Sequence, residues 1–205
     1  MNAVAAIDLP PAAAGVPLEG GFYVGGILTG GTLYALIVAP KAEGEFAESA
    51  WSESYQSVPG ALSWNDGMAN TLAAAEAGID IAKWALGLRI GGYSDWYWGA
   101  VDECELTYRH LKPTTEDNSL WARSGINVSA VPPTFPYTAD FPKQTENELF
   151  RAGGSEAFEA AGYWTSTPHA SDSYYAWFQG FSNGDQFYWH KGLKLRARAF
   201  RRLAL

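Results

Sequence analysis

Residues 163 to 190 carry 10 of the 30 aromatic side chains in this 205-residue chain, more than twice its average density. The pattern there is β-like, with runs at Tyr163 to Thr167, Tyr174 to Phe181, Asp185 to His190 and Leu193 to Phe200. Asn183-Gly184, set between two aromatic runs, is among the strongest short hairpin signals. A half-buried sheet takes only every second residue inside. In Tyr175-Ala176-Trp177-Phe178 and in Phe187-Tyr188-Trp189, some large rings must therefore face outward. Rings clustered on one open face have the composition of a binding hot spot. The competing reading is a thick aromatic core with a few incidental exposed rings.

Upstream, Phe22 to Leu28 and Thr32 to Val38 flank Thr29-Gly30-Gly31, and Gly-Gly supplies the positive φ of a tight hairpin. Met68, Leu72 and Ala75, then Ile81, Trp84, Ala85 and Leu88, have helical spacing over one broken helix or two short ones. A further helix is predicted from Val101 to Leu111. Its Asp102, Glu103 and Glu105 stand near the start, and Arg109, His110 and Lys112 near the end, which complements the helix dipole. Five prolines between residues 112 and 144 predict a long surface excursion. Thr145-Glu146-Asn147-Glu148 reads as a capping box opening a two-turn helix closed by Gly153-Gly154. A hairpin, a helical middle, a long loop and a final antiparallel sheet together make an α+β order. The Ala- and Pro-rich residues 1 to 20 read as a flexible or docking arm ahead of one domain, 21 to 205.

Composition narrows the function classes. No apolar stretch is long enough to span a bilayer, and the first twenty residues lack the basic region of a secretory signal. Cys104 is the only cysteine, which excludes an internal disulfide and a Cys-based zinc site. The net charge of −8 argues against nucleic acid as a bulk partner. Six of the 14 basic residues nevertheless crowd into the tail from Lys191 to Arg202. Alternation in Leu193-Lys194-Leu195-Arg196-Ala197-Arg198-Ala199 predicts a strand with its bases outward, solvated or paired with acids. An anionic partner is the other reading.

Catalytic signatures are sparse. His110, His169 and His190 are too dispersed for a metal motif. Asp102 and Glu105 could share a helix face and do acid/base work, but a solvated first helical turn accounts for them. There is no Gly-x-Ser-x-Gly elbow, phosphate-cradling glycine loop or dinucleotide fingerprint. Trp64-Asn65-Asp66 matches a tripeptide that supplies calcium ligands in sugar-binding lectins, yet lies before a helix rather than in the late sheet. The expectation is a binding or assembly protein, neither an enzyme nor a holder of metal or cofactor.

Tyr163-Trp164-Thr165-Ser166-Thr167, Ala176-Trp177, Phe181-Ser182-Asn183-Gly184 and the run Leu195 to Arg202 resemble the closing segment of C-type-lectin-like domains of phage virion proteins and bacterial surface adhesins, the Lcl C-terminal type. Gly91-Gly92-Tyr93-Ser94-Asp95-Trp96, Asp102-Glu103 and Tyr108 to Thr115 resemble the phage branch, so the likeness runs over roughly residues 60 to 202. The resemblance implies a C-type-lectin-like fold within the α+β class and a virion protein, tail or fibre associated, that binds a host-surface receptor, protein or glycan. It implies ligand contacts from His169, Ser171, Asp172, Tyr174, Tyr175, Phe178, Asp185, Phe187, Tyr188, Trp189 and His190. Partners would be that receptor, other virion proteins and further copies of the chain, with no nucleic acid and no membrane insertion. A capsid decoration or tail-assembly protein is the alternative. The chain departs from secreted C-type lectins in lacking their disulfides, and from formylglycine-generating enzymes in lacking their cysteine pair.

Overall fold

A computed structural model describes residues 13–205. The strands are β1 (Pro17–Leu18), β2 (Gly21–Thr29), β3 (Thr32–Val38), β4 (Glu45–Ala50), β5 (Tyr97–Trp98), β6 (Ala130–Val131), β7 (Gly162–Pro168), β8 (Tyr175–Gly180), β9 (Gln186–His190) and β10 (Lys194–Ala204). The helices are α1 (Lys41–Gly44), α2 (Gly67–Glu76), α3 (Asp80–Gly87) and α4 (Val101–Leu111). The described residues thus form a mixed α+β structure with one sheet of ten strands and four helices. The first hairpin forms as its residues predict, with Gly30 and Gly31 at φ +56° and +83°.

β10 organises the sheet. The strand order is β1-β2-β3-β10-β7-β8-β9, and β4 and β5 also pair with β10. It runs antiparallel to β3, with Phe200 opposite Val38, and parallel to β7, with Arg196 opposite Tyr163. Both faces of β10 are covered from Ala197 to Arg201, all five of which are buried, and this corrects the outward-facing expectation for Arg198 and Arg201. Arg198 is 2% exposed and bridges Glu45 and Glu156, both at 3.2 Å. Arg201 joins Glu19 and Asp95 and lies 3.8 Å over the Tyr93 ring. Arg202 pairs with Asp66 at 3.1 Å. The four arginines of the basic tail form a ladder of ion pairs, so acid pairing was the sound half of that reading for them, while Lys194 stays exposed.

α2 and α3 are two separate helices, and Asp66 caps the first by accepting from the backbone N–H of Ala69. The buried face of α2 is Gly67, Asn70, Thr71 and Ala74, while Leu72 is 55% exposed, against the face predicted from Met68, Leu72 and Ala75. Small and polar residues win because α2 lies close against β5 and β7: Thr71 Oγ1 bonds Gly67 O and Trp98 O, and Asn70 Nδ2 bonds Ser166 and Thr167. Together α2 and α3 build a cluster with Trp51, Trp98, Trp164 and Phe178.

α4 has its predicted bounds but not its predicted surroundings. All of it except His110 is buried, including Asp102, Glu103 and Glu105. The solvated first turn is therefore corrected: each carboxylate is dehydrated, Glu103 held by residues 67 to 100 and Asp102 and Glu105 chiefly by the excursion that follows the helix. Glu103 accepts from the N–H groups of Gly67 and Ala100 and from the Tyr97 hydroxyl, and burial pushes its carboxyl up to about 7. Glu105 accepts from Arg109 Nε, Asn127 Nδ2 and the Tyr137 hydroxyl. Asp102 accepts from the Ser129 hydroxyl at 2.6 Å and meets Arg123 at 2.8 Å.

Those contacts reorganise the Pro-rich excursion. Asn118, Asn127, Ser129, Ala130 and Tyr137 are buried, and β6 pairs with β2, so the segment is partly core rather than wholly a surface loop. The capping box gives way to a single 3-10 turn, Glu148–Phe150, capped by Asn147 instead of Thr145. Asn147 accepts from the Leu149 N–H and donates to Gly15 O, which anchors it in the competing role. Within the N-terminal arm, residues 1–12 lie outside the described residues. Residues 13–20 belong to the packed body, with β1 on β2 and Glu19 on Arg201.

Candidate functional site: an aromatic face on the late hairpin

β8 and β9 pair with Tyr175 opposite His190, Trp177 opposite Tyr188 and Gln179 opposite Gln186. Side chains alternate across a sheet, so these six share one face, and Ala176, Phe178, Phe187 and Trp189 share the other. The second face is the inner one: Ala176 and Phe178 are in the α2–α3 cluster, and Phe187 packs on it. The turn between the strands is longer than two residues. Gly180 N–H donates to Asp185 O, and Gly184 takes φ +76° where a Cβ would strike the Tyr108 ring at 2.4 Å.

The first face is open, and its rings are continuous. Trp177 meets Tyr188 at 5.4 Å between centroids, and Tyr188 meets Tyr175 at 5.6 Å. His169, at the end of β7, stands 4.5 Å from Tyr188. Two rings arrive from distant sequence. Trp64 packs on Trp177 at 5.1 Å, and Tyr55 packs on His190 at 4.6 Å and stacks on Tyr174 at 5.5 Å. Eight rings thus form one ribbon, half-buried except at its two ends, where Trp64 is 39% and Tyr174 55% exposed. Near the turn the face is closed: Gln186 is buried under the excursion and accepts from Gly125 N–H at 2.8 Å.

The surrounding frame fixes both ends. Arg123 lies 4.6 Å over the Trp64 ring while bound to Asp102, and Trp64 O accepts from Asp102 N–H. At the other end Tyr55 takes φ +51°, a backbone state costly for a non-glycine residue. Lys191 holds that loop. Its Nζ donates to Gln56 O at 2.8 Å and sits 4.3 Å over Trp51, and its backbone bonds Trp51 and Tyr174. The ammonium is fully buried, and dehydration lowers its pKa to about 8, against the opposing pull of Asp172.

Of the residues expected at a ligand site, the structure brings His169, Tyr174, Tyr175, Tyr188 and His190 together. Ser171 and Asp172 lie in the adjoining β7–β8 loop, where Asp172 accepts from Tyr174 N–H. Phe178 is 4% exposed on the inner face and is withdrawn as a contact residue. Phe187 shares that face. Trp189 is 44% exposed but stacks on Phe178 at 4.6 Å, on the opposite side from the ribbon. Asp185 sits in the turn near Ser119, with its carboxyl raised by burial. The expectation drew on both parities of the hairpin, whereas one surface can use only one. Trp177 was missed although it shares its parity with Tyr175. Trp64 and Tyr55 carried no local signal, since both reach the face only through tertiary packing.

The ribbon offers flat apolar faces with hydroxyl and imidazole edges, the means to stack on a ligand and orient it by hydrogen bonds. Metal chemistry has less to work with. Asp66 is engaged by Ala69 N–H and Arg202, and Asn65 by Leu28 O. Among the described residues no three His, Cys, Asp or Glu side chains converge as a metal site would require. Compared with protein-family models and with curated proteins, the chain matches none of them.

Proposed function

We propose that the chain is a C-type-lectin-like module of a phage virion, tail or fibre associated, that binds a host-surface receptor through the β8–β9 aromatic face. The reading joins the motif resemblance to one physical observation, the continuous half-exposed ribbon from Trp64 to Tyr174. Rings packed edge to face are already ordered, so they lose little rotamer freedom when a protein or glycan covers them. In this reading the chain binds its receptor without catalysis and works on the assembled particle beside other virion proteins.

The test is the double substitution Trp177→Ala and Tyr188→Ala in the particle. Adsorption to susceptible cells should fall at least tenfold while particle yield and incorporation of the chain stay at wild-type level. Unchanged adsorption would remove the ribbon as the receptor site. The alternative, a decoration or tail-assembly role, would instead show itself as lost incorporation.

A further inference from the structure

The excursion between α4 and the Glu148–Phe150 turn carries a second surface of different character. Residues 118–139 contain a single charged side chain, Arg123, in a chain with 36 charged residues and a net charge of −8. Arg123 is itself neutralised by Asp102. From this stretch Leu120, Trp121, Val128, Val131 and Phe135 project with 43 to 83% of their surface exposed, and Phe141 follows at 52%. Summed over the six this is roughly 800 Å², one partner's share of a standard interface.

The face carries both a knob and a hole. Phe135 is its most exposed side chain, at 83%. Arg109 donates to Phe135 O and also lines a cleft of about 700 Å³, whose apolar walls include Tyr23, Val24, Val131 and Phe141. The exposed charges in that lining, Lys143 and Glu146, are opposite in sign.

We infer that this belt joins two copies of the chain about a two-fold axis, Phe135 of each seated in the cleft of the other. Two observations select a second copy as the occupant. Molecules that each carry −8 repel, and an uncharged belt is where such copies meet without opposing like charges. Knob and hole on one face also make the surface complementary to itself, as an isologous contact requires.

Sedimentation of the full chain tests this. The wild type should be dimeric at about 10 µM, as an interface with micromolar affinity would be. Phe135→Asp and Val131→Lys should each weaken association at least 100-fold with the circular dichroism unchanged. An equal mixture of the two should regain a dimer, because one native knob-and-hole contact returns and the other pairs Asp with Lys. Val128→Asp is a second disrupting variant should either of the first two fail to fold. A monomeric wild type, or dimers that survive these substitutions, overturns the proposal. So does a chain that dimerises only after deletion of residues 1–12, which would make its own N-terminal segment the occupant.

Discussion

The buried side of α4 and the open face of β8–β9 handle their chemistry in opposite ways. On α4, three carboxylates leave water entirely, and each finds partners within the protein: Glu103 three donors, Glu105 three, Asp102 a hydroxyl and a guanidinium. On the hairpin the large rings contact protein on one side and stay half-open on the other. Charge on α4 is internal joinery, whereas the hairpin leaves its large rings half-open. A site search that begins from buried acids would stop at α4, where the bonding capacity of those groups is already spent.

The sharpest way to break the contrast is to remove one member of the α4 network. Glu105→Ala leaves Arg109 buried and Asn127 and Tyr137 short of an acceptor, and should cost about 3 to 5 kcal/mol in urea unfolding. A loss below 1 kcal/mol would mean the pair is solvated and the contrast false. Phe178→Ala, on the inner face of the hairpin, should cost a similar 3 to 5 kcal/mol through the cavity it opens, with receptor adsorption of the folded fraction unchanged. If adsorption is lost while stability holds, the two faces have been assigned the wrong way round.

A pH series sharpens the comparison further. The folded Glu103 carboxyl titrates near 7, above its ordinary 4.5, so the fold holds this proton more tightly than the unfolded chain does. That contribution is full below about pH 4.5 and is lost as pH rises through 7, a change of roughly 3 kcal/mol. Glu103→Gln should flatten the fall in the urea midpoint between about pH 5 and pH 8, and equal slopes would mean that Glu103 is ionised throughout. The smallest stability effect belongs to the ribbon's open end. Tyr174→Ala should change stability by no more than about 0.5 kcal/mol yet weaken adsorption severalfold.

Local chemistry was legible where one short segment decides the outcome. Gly30-Gly31 predicts its hairpin because the turn is made within those residues, and α4 keeps its predicted ends. The burial of Asp102 and Glu105 was not legible, because their partners Arg123, Asn127, Ser129 and Tyr137 lie 21 to 32 positions later in a segment with no regular pattern. The alternation in β10 was visible, but its meaning depends on whether the strand's outer face is covered, and period two is the same whether that face is covered or open. The site divides likewise. The hairpin rings could be read from composition and Trp177 from parity, whereas Trp64 and Tyr55 join only when Arg123 and Lys191 hold their loops in place.

The position of β10 also bears on how the molecule assembles. β3, β4, β5 and β7 are spread over residues 32 to 168, and all of them border a strand that begins only at Lys194. As the polypeptide leaves the ribosome, those segments wait for a common neighbour that emerges after them. Closure is therefore late and dominated by long-range pairing, which slows folding and leaves strand borders transiently uncovered. Shielding of the nascent chain at that stage, more than the stability of the finished sheet, would govern the yield of native protein.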